Sequence, residues 1–266
     1  MRKIFFGILL IMAISLVGIF LVRASFLQKA KITKSEKVSQ LIDKTEVKKD
    51  AVVEVKKEDQ SINEPISIHK IANANVPFTS QAPTGNWSEQ RFQNGCEEAS
   101  VLMAMKWIKN EKFSSRISAE KEIFDIAKFE EKTFGTFIDA TVEDVGEILS
   151  QYYDFKNFII KSDPSLDDLK NALADGNIIL VPAFGRALKN PNFTRPGPIT
   201  HMLVLIGYDK KTREFITNDP GTRKGESYRY NEKVLFNAIW AYPSGKTHPE
   251  PPIETLKKAM LVVRKK

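Results

Sequence analysis

Between residues 96 and 174 the apolar side chains recur at helical spacing, whereas from residue 177 onward they come in short runs rich in Ile, Val and Leu. A single switch of period, without alternation, restricts the chain to an α+β class: a helical first half and an antiparallel, strand-rich second half. The helical stretches are 96–110, 119–129, 142–152 and 165–174. In the first of them Ala99, Leu102, Met103, Met105 and Ile108 form a broad apolar face. Pro164-Ser165, followed by Asp167 and Asp168, is a start signal for the last, and Gly176 a stop. Residues 177–182 are Ile/Val-rich, 199–208 read as a buried strand carrying one His, and 214–218 as a strand after the turn at 208–212. Tyr228 and Tyr230 flank a short extended stretch, 231–240 is a helix and 259–264 a last strand. No internal repeat is visible. A short extended segment at 76–81 and a turn at 83–86 precede the first helix.

Upstream the chain has another character. Ile4 to Val22 is apolar apart from Gly7, Ser15 and Gly18, and Arg23 ends it. As a helix this run spans roughly 28 Å, near the thickness of a bilayer core. Its length favours an uncleaved transmembrane anchor over a signal peptide, whose apolar stretch is usually about 7–15 residues. Arg23, Lys29, Lys31, Lys34 and Lys37 follow the run, a charge bias that taken literally opposes an external C-terminal domain. The short basic start, Arg2-Lys3, behaves like a signal sequence, so an extracytoplasmic domain is expected. Residues 24–72 have no aromatic after Phe26, and 46–59 mix charges densely, the composition of a solvated tether or of a short helix with little apolar face. The expected organisation is anchor or signal at 1–23, flexible tether at 24–72, and a folded domain at 73–266.

The net charge of +7 sits mainly upstream: residues 1–75 carry +5 and the remainder +2. The folded region therefore has no basic stripe, which argues against nucleic acid as a partner. With 42% hydrophobic residues and one cysteine, the domain must be stabilised by core burial rather than by an intrachain disulfide. One cysteine also excludes multi-thiolate zinc sites, and three histidines argue against a histidine-rich metal site, so neither metal nor cofactor is expected.

The cysteine, Cys96, stands in Asn94-Gly95-Cys96-Glu97-Glu98-Ala99-Ser100, at the first turn of its helix. Free N–H groups and the helix dipole at such a position stabilise a thiolate, the reactive form. Gly95 leaves space there for a substrate backbone. Of the histidines, His69 falls in the tether and His248 in a turn-like Lys-Thr-His-Pro, leaving His201 at the start of an apolar strand and beside a Pro-Gly-Pro loop. A hairpin across the turn at Tyr208 brings Asn218-Asp219 back toward His201. Neighbours on a strand point to opposite faces, so one of the two, Asn218 or Asp219, can orient the imidazole. A nucleophile, a base and a base-orienting group in this order meet the requirement for an activated thiol.

These segments, together with Val76-Pro77-Phe78-Thr79-Ser80-Gln81, Asn86-Trp87, His201-Met202-Leu203-Val204, Gly207-Tyr208-Asp209 and Asn218-Asp219-Pro220-Gly221, resemble the domain of the bacteriocin-processing, double-glycine cysteine peptidases, family thirty-nine of the cysteine peptidases, in the papain superfamily. The resemblance covers about residues 74–243. It implies a papain-like cysteine peptidase fold, a Cys96–His201–Asp219 triad and an oxyanion-stabilising Gln upstream of the cysteine. Gln90 has the papain-type spacing, Gln81 fits the looser bacterial pattern, and Gln93 is a third possibility. No transporter domain follows, so leader-peptide processing does not carry over. Glu97 replaces the small Gly that follows the cysteine in the transporter-linked members; a carboxylate there has two effects, raising the thiol pKa and complementing the helix dipole, and the sequence does not set their balance.

The expectation is a membrane-anchored extracytoplasmic cysteine peptidase acting on a peptide or protein substrate through a thioester. An amidase or acyltransferase acting on cell-wall peptide would use the same residues. The non-enzymatic alternative is a surface-displayed binding module on the same scaffold. Trp87, Phe92 and Trp240 are the aromatics that could line a cleft.

Overall fold

A computed structural model describes residues 70–72, 75–245, 251–252 and 256–265. The apolar run at 4–22, nearly all of the tether, His69 and His248 lie outside the described residues. No helix among the described residues is long and apolar enough to cross a membrane.

The chain is α+β. Among the described residues, seven strands form one sheet: β1 (Lys70–Ala72), β2 (Phe158–Ser162), β3 (Ile178–Phe184), β4 (Thr200–Asp209), β5 (Glu214–Asn218), β6 (Tyr228–Asn231) and β7 (Ala259–Val263). Their order is β2-β7-β3-β4-β5-β6, with β1 added to the far end of β4, and every pairing is antiparallel. The helices are α1 (Gln90–Gln93), α2 (Cys96–Ile108), α3 (Arg116–Phe134), α4 (Val142–Glu147), α5 (Leu166–Ala174) and α6 (Glu232–Ala238). A π-helical turn, Ile148–Tyr152, continues α4.

Local chemistry accounts for several helix ends. Ser115 caps α3 by accepting from the Ser118 N–H, and Gly135, at φ 79°, ends it in the left-handed region. Thr141 with Asp144, and Ser165 with Asp168, close reciprocal capping boxes on α4 and α5. In α2, by contrast, every residue from Cys96 to Met105 is buried, including Glu97, Glu98 and Ser100. The broad apolar face expected of it is a helix enclosed on all sides.

The inner strands β3, β4 and β7 are buried on both faces, and their alternating side chains divide the core in two. Ile178 and Leu180 of β3, Met202 and Val204 of β4 and Leu261 of β7 pack with α2, α3 and α4. Ile179, Val181, Leu203, Leu205 and Val262 point the other way, toward Leu169 and Leu173 of α5 and Leu235 of α6. Thus α5, last of the early helices, crosses to the opposite face from α2, α3 and α4.

Two strands escaped the sequence reading. β1 begins inside the stretch expected to be tether, pairing Lys70–Ala72 with Asp209–Gly207. β2 is a half-exposed edge strand, with Ile159 facing solvent, and so lacks the continuous apolar run of β3 and β4.

Candidate active site

Gly95 caps α2 without a side chain, and Cys96 is its first residue. A Cβ on Gly95 would lie 2.7 Å from the Arg91 carbonyl oxygen, so this glycine admits the backbone of α1 rather than that of a substrate. The α2 start is pinned to β4 at Met202, the residue after His201. The Met202 main-chain N–H faces the Cys96 sulfur, and Ser100 Oγ donates to the Met202 carbonyl at 3.4 Å.

His201 lies near the beginning of β4, opposite Ala183 of β3. Its Nε2 is 2.8 Å from Asp219 Oδ1, and both side chains are buried. The way Asp219 reaches it depends on one extra residue. β4 and β5 pair as Asp209↔Glu214, Tyr208↔Phe215 and Gly207↔Ile216, but then as Leu205↔Thr217 and Val204↔Asn218. Ile206 is therefore the bulged residue. Beyond the bulge, continuation of the ladder sets Asp219 on the face shared by Leu203 and His201. Without it the register would slip by one, and Asn218 would take that face instead. Asn218 points the other way, donating from Nδ2 to the carbonyls of Val76 (3.3 Å) and Pro77 (3.4 Å) and accepting from the Ser227 N–H.

The Asp219 carboxylate is fully partnered. Oδ1 accepts from the Gly221 N–H at 2.9 Å as well as facing His201, and Oδ2 accepts from Tyr230 Oη at 2.5 Å and from Asn190 Nδ2 at 3.3 Å. Burial pushes its pKa up, but the charge and hydrogen bond of His201 and the hydrogen bonds from Tyr230 and Gly221 outweigh this, leaving it below the ordinary value. Asn190 Nδ2 also donates to Tyr230 Oη at 2.7 Å. Neither Asn190 nor Tyr230 was found from the sequence, because each reaches Asp219 from a separate segment.

Edge-on packing by Phe193, 5.3 Å between ring centres, holds the other side of the imidazole. Gly221 is equally close, since a Cβ there would lie 2.8 Å from His201 Cε1 and 2.9 Å from Phe193 Cε1.

Cys96 and His201 line the same cavity, of about 810 Å³, with Gln81, Gln93, Trp87, Asp139 and Gly221 among its other walls. This is the size of a ligand cleft. Gln90, exposed on α1, does not line it. Gln81 is buried, and its backbone N–H donates to the Pro220 carbonyl at 2.9 Å, which ties the 76–81 segment to the loop after Asp219. Its Nε2 donates to the carbonyls of Phe92 (3.0 Å) and Gln93 (2.9 Å), leaving Oε1 buried without a partner. A flipped amide would set Oε1 against two carbonyls, so this orientation is the sound one. Gln93 Nε2 donates to the Trp87 carbonyl. Of the three aromatics expected at a cleft, only Trp87 lines it. Phe92 packs in the core against Phe124, and Trp240 packs between Phe184 and Tyr242.

The thiol is not paired with the imidazole. Cys96 Sγ donates to Glu97 Oε2 at 3.0 Å, and Glu97 Oε1 accepts from Tyr242 Oη at 2.6 Å. Burial, then the Glu97 charge, pushes the Cys96 pKa well above its ordinary value, overriding the helix start and the Met202 N–H. Burial raises Glu97 to about 7. No cluster of three or more His, Cys, Asp or Glu with metal-binding geometry exists among the described residues.

No curated protein gives a match. A solved structure described as a C39-like peptidase, from Bacillus anthracis, aligns over 74% of this chain and 98% of its own, with 15% identity and a TM-score of 0.46. The family model described as the Peptidase_C39 like family matches residues 73–247, a span that takes in Cys96, His201, Asp219 and all the walls of their cavity. With two-thirds of its length so matched, the chain belongs to the Peptidase_C39 like family.

Proposed function

We propose that the protein is a cysteine peptidase of papain-like architecture, hydrolysing a peptide or amide bond through Cys96, His201 and Asp219. The observation that carries this reading is the buried His201–Asp219 pair beside a cavity lined also by Cys96. Asp219 engages Nε2, which fixes the tautomer and leaves Nδ1 as the nitrogen available for the thiol proton.

In the reaction, His201 Nδ1 takes the proton from Cys96 Sγ, and the thiolate attacks the carbonyl carbon. The C–N bond breaks as His201 returns that proton to the departing amine, leaving a thioester. A water deprotonated by His201 then attacks the thioester, releasing the acid and restoring the thiol. The Cys96 main-chain N–H, at a helix start without an intrahelical acceptor, is one donor to the oxyanion. Gln81 is the favoured side-chain donor, because it lines the cavity and Gln90 does not. Its amide protons are directed at Phe92 and Gln93, so one of those bonds must be exchanged for the oxyanion.

The apolar run at 4–22 and the charged stretch at 24–72 support an anchored, extracytoplasmic enzyme whose catalytic domain is tethered to the membrane. An acyltransferase or amidase acting on cell-wall peptide would use the same residues. One observation favours a non-catalytic binding module instead: the buried thiol is held protonated against Glu97.

The deciding experiment is iodoacetamide alkylation of the full chain across pH, wild type against His201→Ala, followed by mass-spectrometric profiling of a peptide library. Slower alkylation in the variant, with His201-dependent cleavage of peptides, supports the peptidase. An unaffected thiol and an intact library leave the binding module.

A further inference from the structure

The reaction above begins with a proton on Cys96 that must reach His201, but the thiol points at a different acceptor. Sγ, Glu97 and Tyr242 form a buried chain: Sγ–H to Glu97 Oε2 at 3.0 Å, and Tyr242 O–H to Glu97 Oε1 at 2.6 Å. Cys96 is 6%, Glu97 1% and Tyr242 2% exposed, so water does not compete for these bonds. A carboxylate adjacent to a thiol can only accept from it, and it repels the thiolate. The titratable groups around Glu97 come from several elements and are all acids: Glu98 on its own helix, Glu130 on α3 and Asp139 before α4. Tyr242, after α6, fixes its far oxygen.

Resting on the peptidase reading, we propose that Glu97 is a positioning residue that latches the nucleophile: in the resting protein its carboxylate holds the Cys96 thiol proton, and Sγ must leave Glu97 before His201 can take that proton. Release occurs when Glu97 is protonated or when a substrate in the cavity draws Sγ away. No oxidant, metal or second reactant is involved; the proton merely changes acceptor. The latch gives a thiol that is quiet in the empty protein.

The test is the pH dependence of iodoacetamide alkylation of the full chain, with Glu97→Gln and Glu97→Met. Gln keeps an acceptor for Tyr242 and turns an N–H toward sulfur. Met fills the same space without polar atoms, and it serves if the Gln protein does not fold. Removing a like charge at this distance changes the thiol pKa by about one unit, roughly tenfold in thiolate. The lower nucleophilicity of the less basic thiolate reduces this to about threefold in rate.

The expected result is a rise of about threefold or more at pH 7.5 in either variant. The gap between variant and wild type opens as pH rises through about 7, where Glu97 ionises. Rates at or below wild type, or a gap constant from pH 5 to pH 7.5, overturn the latch. His201→Ala in both backgrounds separates the two ideas. If only the Glu97 variants change the rate, the latch stands and the Cys96–His201 partnership falls. If only His201→Ala does, the partnership stands and the latch falls.

Discussion

Tyr230→Phe deletes one oxygen from the support of Asp219 and leaves the packing of the ring intact. The hydroxyl donates to Asp219 Oδ2 at 2.5 Å and accepts from Asn190 Nδ2 at 2.7 Å. A hydrogen bond to a buried charge contributes about 1.5–3 kcal/mol. After the change Oδ2 retains Asn190, now 3.3 Å away and free to close in, so the loss falls near the lower end, about 1.5–2 kcal/mol. For a domain of this size that corresponds to a drop in Tm of roughly 3–8 °C. The sign with pH follows from the depressed pKa of Asp219. Its ionised form contributes stability above the unfolded value, near 3.8, which is lost as pH falls through the lower folded value. Tyr230 helps to depress that value, so the variant loses stability at a higher pH than wild type. Below that window a neutral carboxyl makes a bond worth only about 1 kcal/mol, and the difference between the proteins shrinks to roughly half. Thermal melts followed by circular dichroism, at pH 7 and at steps downward through the acid range below 3.8, measure both quantities. An unchanged Tm at pH 7, or a drop that stays equal as pH falls through that range, refutes the reasoning. Oδ1 keeps its bonds to His201 and Gly221, so thiol alkylation should change by less than about threefold, under 1 kcal/mol.

Other expectations are as direct. Asp219→Ala removes the acceptor that fixes the His201 tautomer, and peptide cleavage should fall by about 10²-fold or more in kcat/KM; near-wild-type turnover would exclude Asp219 from the machinery. Gly221→Ala inserts a methyl 2.8 Å from His201 Cε1, and the ring, backed by Phe193, must shift. Alkylation should slow and Tm should fall, for a cost of about 1–3 kcal/mol; unchanged values would mean that the loop absorbs the methyl. Glu98 and Glu130 are buried together, and burial first, then neighbouring acids, raise both pKa values. An acid with a raised folded pKa contributes its full stability below its unfolded value and loses it as pH climbs toward the folded one. Glu98→Gln should therefore flatten the decline of Tm as pH rises above the unfolded value, near 4.5, and curves parallel to wild type would sink that assignment.

The helices and inner strands were legible because their signals are local. Ser165 and Asp168 announce α5 three residues apart, and the strand at 214–218 was found to the residue. α3 is the exception among helices: it runs to 19 residues, and its charged ends hide the apolar period that marks only its middle. β2 was invisible for a related reason, since an edge strand half open to solvent needs little apolar character. At the site, Cys96 and His201 stand out by residue type and position, whereas hairpin geometry alone leaves the neighbour that faces the imidazole between Asn218 and Asp219, and only the family resemblance points to Asp219. A single bulged residue, Ile206, decides that, and nothing in the composition of β4 marks it.

The sequence by itself determined the class of fold, the order of most elements and the residue types available for chemistry, because periodicity and capping act over a few residues. The tertiary structure alone decided what those residues touch. It turned Asp219 rather than Asn218 toward His201, set Gln81 rather than Gln90 in the cavity wall, brought Tyr230 and Asn190 to the carboxylate, and gave the thiol to Glu97 and Tyr242. Tyr242 meets Glu97 across 145 positions of chain, and no local propensity encodes a contact of that separation.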